Sequence, residues 1–151
     1  MISPTLVRRV SKASGVAFRP GSTGDLARLQ ALGAPPDVLA FYRDYEPADC
    51  AEIAQARLWP IQHVLEENSD YVPGTYLHPL GFVVIGTTEF GDVYCLDLSD
   101  PGPPVVLMSH ELLYDELSLE EIRALRKPVA ATFEEFVGKF ADGAVDLEPL
   151  T

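Results

Sequence analysis

Between Gly81 and Met108 three apolar runs follow one another: "GFVVIG", "DVYCLDL" and "PVVLM". They constrain the fold more than any other feature, because the gaps between them, "TTEFG" and "SDPGP", are too short to hold a crossover helix. Parallel neighbours need such a helix, so the runs predict antiparallel strands. "GFVVIG" is an unbroken β-branched and aromatic run, suited to a strand covered on both faces. In this reading Gly81 and Gly86 bracket the first strand, Gly91 helps the chain turn into the second, and "TTEF" is the exposed connection.

Helical patterns lie on either side of these strands. "DLARLQALG" places Leu26, Leu29 and Leu32 at three-residue steps and stops at Gly33. "PPDVLAFYRDYEP" sets Val38, Phe41, Tyr42 and Tyr45 on one stripe behind Pro36. Aromatics at that spacing read as core. "CAEIAQARLW" reads as a strand whose alanines blur its period, and "PIQHVLEENSDY" as a short helix ending near Ser69. Towards the C-terminus, Ser118-x-x-Glu121 and Thr132-x-x-Glu135 both fit the capping box, and the second opens a stripe of Phe133, Phe136, Val137 and Phe140. Helices, then strands, then helices define an α+β fold: a central, mostly antiparallel sheet flanked by helices at both chain ends. With 151 residues the chain suits one domain. Residues 1 to 22, polar and glycine-rich, are expected to form an irregular N-terminal lead-in.

Charge is unevenly spread. The formal net charge is −12, yet residues 58 to 122 contain no Lys or Arg against 12 acids. All 11 Lys and Arg lie outside that block, together with the other 11 acids, which they cancel. The centre of the chain therefore carries the whole net charge. Such a surface repels nucleic-acid phosphates and anionic lipid, and it steers basic partners toward itself. Exposed aromatics set among acids are what an interface would use. The candidate partner-binding residues are Glu66, Glu67, Asp70 and Tyr71 at a helix exit, Glu89 and Phe90 at the strand turn, and Tyr114, Asp115 and Glu116 in the later loop.

Catalytic patterns are weak. "GFVVIGTT" has the glycine spacing of a phosphate-binding loop, but Thr87 stands where the lysine belongs and strand formers fill the interior. Glu89, Asp92 and Asp97, with His78 and His110 nearby, leave a carboxylate-dependent metal hydrolase as the enzyme alternative, although neither a calcium-loop nor a zinc-helix pattern is present. Ser109-His110 adjacency builds no triad. Cys50 and Cys95 have no ligand spacing and read as reduced small hydrophobes. The expectation is a chain with no catalytic residues, no metal and no cofactor. The N-terminus lacks the apolar run of a signal peptide, and no run approaches the roughly 18 residues that span a bilayer. A cytoplasmic protein is expected.

Four stretches in order, "LGAPPDVLAFY", "RLWPIQHVLEEN", "GFVVIGTTEFGDVYCLDL" and "ATFEEFVGKF", resemble the SUKH superfamily, the Smi/Knr-like domains. The resemblance runs from about Leu26 to Gly143 and is most specific from Ile85-Gly86 through Gly91-Asp92 to Leu96-Asp97-Leu98. It differs in its strand turn, "TTEF", which has fewer glycines than is typical. The resemblance implies a SUKH-like α+β domain over residues 23 to 151, with a mostly antiparallel sheet between helices. It also implies a non-enzymatic role, since bacterial members are commonly immunity proteins that neutralise a cognate toxin domain, often a nuclease or deaminase. Eukaryotic relatives serve as regulatory or scaffold interaction domains, which stays open as the alternative.

Overall fold

The computed structural model describes residues 2–151. Its main sheet has six strands in the order of the chain: β3 (Ala51–Ile53), β4 (Ala56–Leu58), β5 (Phe82–Thr88), β6 (Val93–Asp97), β7 (Val105–Met108) and β8 (Lys127–Ala130). Every neighbouring pair is antiparallel. Two further short strands, β1 (Phe18–Arg19) and β2 (Glu46–Pro47), pair with each other. The α+β class expected from the sequence is the class observed.

The helices are α1 (Pro4–Ser14), α2 (Thr23–Leu32), α3 (Pro36–Asp44), α4 (Ile61–Ser69), α5 (Gly74–Leu77), α6 (Leu119–Ala124) and α7 (Phe133–Ala141). No helix is long and apolar enough to cross a membrane among the described residues. On α7, Phe133, Phe136, Val137 and Phe140 are all buried. Phe136 meets the Tyr94 ring of β6, and Phe133 meets Phe41 of α3, each with centroids 5.3 Å apart. Alternation along β6 turns Val93 away from Tyr94, and on that opposite face lie α4 and α5. Helices therefore cover both faces, which is why all five residues of β6 are buried.

Several expectations need correction. The lead-in is not irregular: Ser3 caps α1 by accepting from the Leu6 N–H, Pro4 opens it, and Val7 and Val10 are buried. This helix packs against α7 and β3, and Arg9 pairs with Asp142. Its apolar stripe is only one or two residues wide between Arg8, Arg9 and Lys12, so tertiary contact rather than local pattern marks it. The single strand expected over "CAEIAQARLW" is a hairpin, turned by Ala54 and Gln55 at φ 47° and 73°. β8, hidden in "KPVA", was not anticipated; it completes the sheet at its edge, where Pro128 is tolerated. The capping box at Ser118 forms in full. At Thr132 only half of it does: the hydroxyl accepts from Glu135 N, but the Glu135 carboxylate takes the Ala131 N–H.

The strand-turn reading also shifts. Gly86 lies inside β5 rather than at its end, and Thr87 and Thr88 belong to the strand. The Thr88 hydroxyl accepts from the Phe90 and Asp92 N–H groups, closing the turn. Only Glu89 and Phe90 of "TTEF" are exposed.

Candidate binding groove

Cross-strand register sets the floor of a groove. Glu52 opposes Arg57, Arg57 opposes Thr87, Thr87 opposes Val93 and Val93 opposes Met108, so these residues share one face. β4 ends at Leu58, leaving the Val84 backbone of β5 without a strand partner on that side. Asn68 of α4 takes the strand's place: its amide donates to the Val84 carbonyl at 2.8 Å and its oxygen accepts the Val84 N–H at 2.9 Å. A second 2.8 Å bond from the same amide to the Val64 carbonyl locks the side chain to its own helix. Asn68 thereby fixes where α4 ends against the sheet.

The chain then doubles back through Tyr71 and Val72 into α5. Gly74 permits this, because a Cβ there would lie 1.8 Å from the Glu67 carbonyl oxygen. That close approach builds the wall of an apolar compartment of about 380 Å³, lined by Glu67, Val72, Pro73, Tyr76, Thr87, Gly91, Val93, His110 and Leu113. His110 is anchored by Asp92, whose carboxylate accepts from the His110 N–H at 3.1 Å and lies 2.8 Å from its Nδ1. A second compartment of about 590 Å³ is lined by Asp49, Cys50, Glu52, Arg57, Trp59, His63, Glu67 and Thr87. There the His63 ring stacks on Trp59 at 4.5 Å, and its Nε2 lies 3.1 Å from Glu67.

Of the nine candidate residues Glu67 alone lines the groove; the three segments, far apart in sequence, adjoin lining residues along the chain. Glu66, Glu67, Asp70 and Tyr71 end α4 and lead into the wall; Glu89 and Phe90 adjoin Gly91; Tyr114, Asp115 and Glu116 follow Leu113. Glu66 and Glu67 are half-buried, bonded to Gln62 and His63, whereas Glu89 leans to Gln55 across the hairpin. Tyr71, Phe90 and Tyr114 are 55%, 62% and 57% exposed. Val72 at 61% belongs with them and was missed, since one valine beside Pro73 has no periodic signal. The ionic compartment was missed as well, because Glu52 and Arg57 lie on a hairpin read as one strand and Asp49 just precedes it.

Of the 12 central acids, six (Glu66, Glu67, Asp70, Glu89, Asp115 and Glu116) belong to these three segments, and Asp92 and Glu111 lie close to them in the chain. Asp97 and Asp100 lie at the other end of β6. The proposed metal set of Glu89, Asp92 and Asp97 is not a cluster. Asp92 is committed to His110, and Asp97, fully buried, is held by Ser99 and Arg126. Among the described residues no group of three His, Cys, Asp or Glu side chains is arranged to hold a metal ion. Burial raises the Cys50 thiol pKa, which Arg57 only partly offsets, and burial raises that of Cys95 further.

Burial works against ionisation of Asp97, but hydrogen bonds from the Ser99 hydroxyl, Arg126 and the Ser99 N–H outweigh it, so its pKa falls below the ordinary value. A depressed carboxylate stabilises the fold above its unfolded pKa and loses that contribution as pH drops through the folded one. The window lies below about pH 4. Asp97→Ala is expected to cost about 3 kcal/mol at neutral pH by leaving Arg126 unpaired, with the difference shrinking in acid. Urea unfolding of both proteins at neutral and acid pH measures this; a pH-independent difference would refute the ion-pair account.

A helix-covered antiparallel sheet with a groove at the end of α4 defines the chain as a single α+β domain. The chain belongs to the SMI1 / KNR4 family (SUKH-1), whose model matches residues 25–139. The match leaves out α1 and the segment after α7, the two elements that Arg9 and Asp142 tie together. No curated protein sequence matches the chain.

Proposed function

We propose that this protein is a non-enzymatic, cytoplasmic binding protein of the immunity type, which neutralises a basic, nucleic-acid-targeting toxin domain by covering its cleft with an acidic surface. Family membership supports a binding role of this kind. The observation that supports the acidic mechanism is that three separated acidic and aromatic segments each adjoin residues lining one groove, within a stretch that has no Lys or Arg. A cleft that accepts a phosphate backbone is lined with cations, and a carboxylate-rich surface satisfies them in its place.

The test is co-purification with the toxin domain encoded beside it. Complex formation is expected at nanomolar concentration and should weaken at least about tenfold between about 0.05 and 0.5 M salt, mainly through slower association. Salt-insensitive binding would remove the charge mechanism. Binding to a cellular partner and to no toxin would favour the regulatory-domain reading.

A further inference from the structure

We infer that the apolar and ionic compartments form one groove for an extended segment of the partner, and that this segment carries one large apolar side chain with a lysine or arginine about three residues away. The inference rests on the binding role proposed above and specifies its chemistry. The two compartments share Glu67 and Thr87 in their walls, so they adjoin.

One compartment is walled by Val72, Pro73, Tyr76, Val93 and Leu113 and suits an apolar anchor. The other is lined by Asp49, Glu52 and Glu67 together with Arg57 and His63; Glu52 pairs with Arg57 and Glu67 bonds His63, so carboxylates outnumber the guanidinium three to one. The Glu52–Arg57 pair, 2.6 Å apart, has side chains 46% and 40% exposed, and so exposed a pair is weak enough for an incoming cation to compete with it. From Arg57 on β4 to Val93 on β6 is two strand spacings, roughly 10 Å, which an extended chain covers in about three residues. That distance sets the spacing of anchor and base.

Other occupants fit less well. A nucleic-acid phosphate meets this excess of carboxylates. A second copy of this chain offers the bases of α1, but the adjacent Val7 and Val10 are buried in its own core and cannot serve as the anchor. Of the five large apolar side chains exposed among the described residues, Val72 lines the groove and Tyr71, Phe90 and Tyr114 are next in the chain to residues that line it, which is where an interface would concentrate them. Asn68 and Gly74 hold the wall in place before any partner arrives, which lowers the ordering cost of binding.

The experiment uses the full chain and three short synthetic peptides on a Gly-Ser frame. The first carries Trp with Arg three positions on, the second replaces Trp by Ala, and the third replaces Arg by Glu. Two-dimensional amide NMR with the first peptide should shift Thr87, Gly91, Val93 and His110, and the other two peptides should bind at least about tenfold more weakly. Val72→Ser and Glu52→Gln, both at exposed positions, should each weaken the first peptide while leaving the remaining spectrum unchanged. Equal binding of all three peptides, shifts confined to other surfaces, or none at millimolar peptide would overturn the groove. So would self-association in sedimentation that perturbs these same amides. If the toxin complex forms and weakens with salt but is indifferent to Val72→Ser and Glu52→Gln, the groove assignment fails while the binding role stands. If no toxin binds yet the peptides behave as described, the reverse holds.

Discussion

Gly86→Ala is expected to destabilise the domain by at least about 3 kcal/mol, because an added Cβ has nowhere to go. It would lie 2.0 Å from the Arg57 carbonyl oxygen, and that atom belongs to the neighbouring strand rather than to a side chain that could swing aside. Relief would require β4 to separate from β5 just where the β5–β6 register slips between Val84 and Gly86. β4 is only three residues long, so losing one ladder position loosens the hairpin that carries Glu52 and Arg57. Urea unfolding should show a markedly lower midpoint. Gly138→Ala is the control: nothing lies within 4 Å of its added Cβ, and alanine in a helix should stabilise by about 0.5–1 kcal/mol. A Gly86→Ala midpoint within error of the parent protein would sink the account.

Asn68→Ala should cost about 2–4 kcal/mol, since it strands the Val84 N–H and carbonyl in a buried position where water cannot replace their partner. Asn68 itself is 3% exposed. The end of α4 should loosen with it, so protection of the Val84 amide against hydrogen exchange should fall more than that of Val106 in β7. Asn68→Asp separates packing from hydrogen bonding. It keeps the volume and an acceptor for Val84 N–H, but an ionised carboxylate has no donor for the Val84 carbonyl. Burial raises such a group's pKa, so Asn68→Asp should be most damaging at neutral pH and recover part of its stability as pH falls toward about 4. A uniform loss at all pH values would mean that shape alone matters at this position.

Much of the fold was legible because its signals are local. The closely spaced runs from Phe82 to Met108 read as antiparallel strands, and α2, α3, α4 and α7 announced themselves through periodic apolar residues and end signals such as Gly33 and Pro36. The missed elements, α1, β1, β2, α5, β8 and the split of β3 from β4, are short or weakly patterned, and contacts made elsewhere in the chain hold them. The three candidate segments were named from acids and aromatics, and of their nine residues only Glu67 lines the groove. The groove itself was invisible, since it depends on Gly74 touching Glu67 and on Asn68 reaching 16 residues along the chain to Val84.

The sequence alone settled the antiparallel run from Phe82 to Met108, the α+β class and the concentration of negative charge between residues 58 and 122, because each follows from residue type and near-neighbour spacing. Tertiary structure decided which of those acids remain available to a partner. Asp97 is neutralised by Arg126 from 29 residues away and Asp92 is occupied by His110, while Glu66, Glu67 and Asp70 come to flank an apolar wall that contains no acid of its own beyond Glu67. Charge can be counted along a chain, but its compensation depends on distances of a few ångströms between residues that only folding brings together.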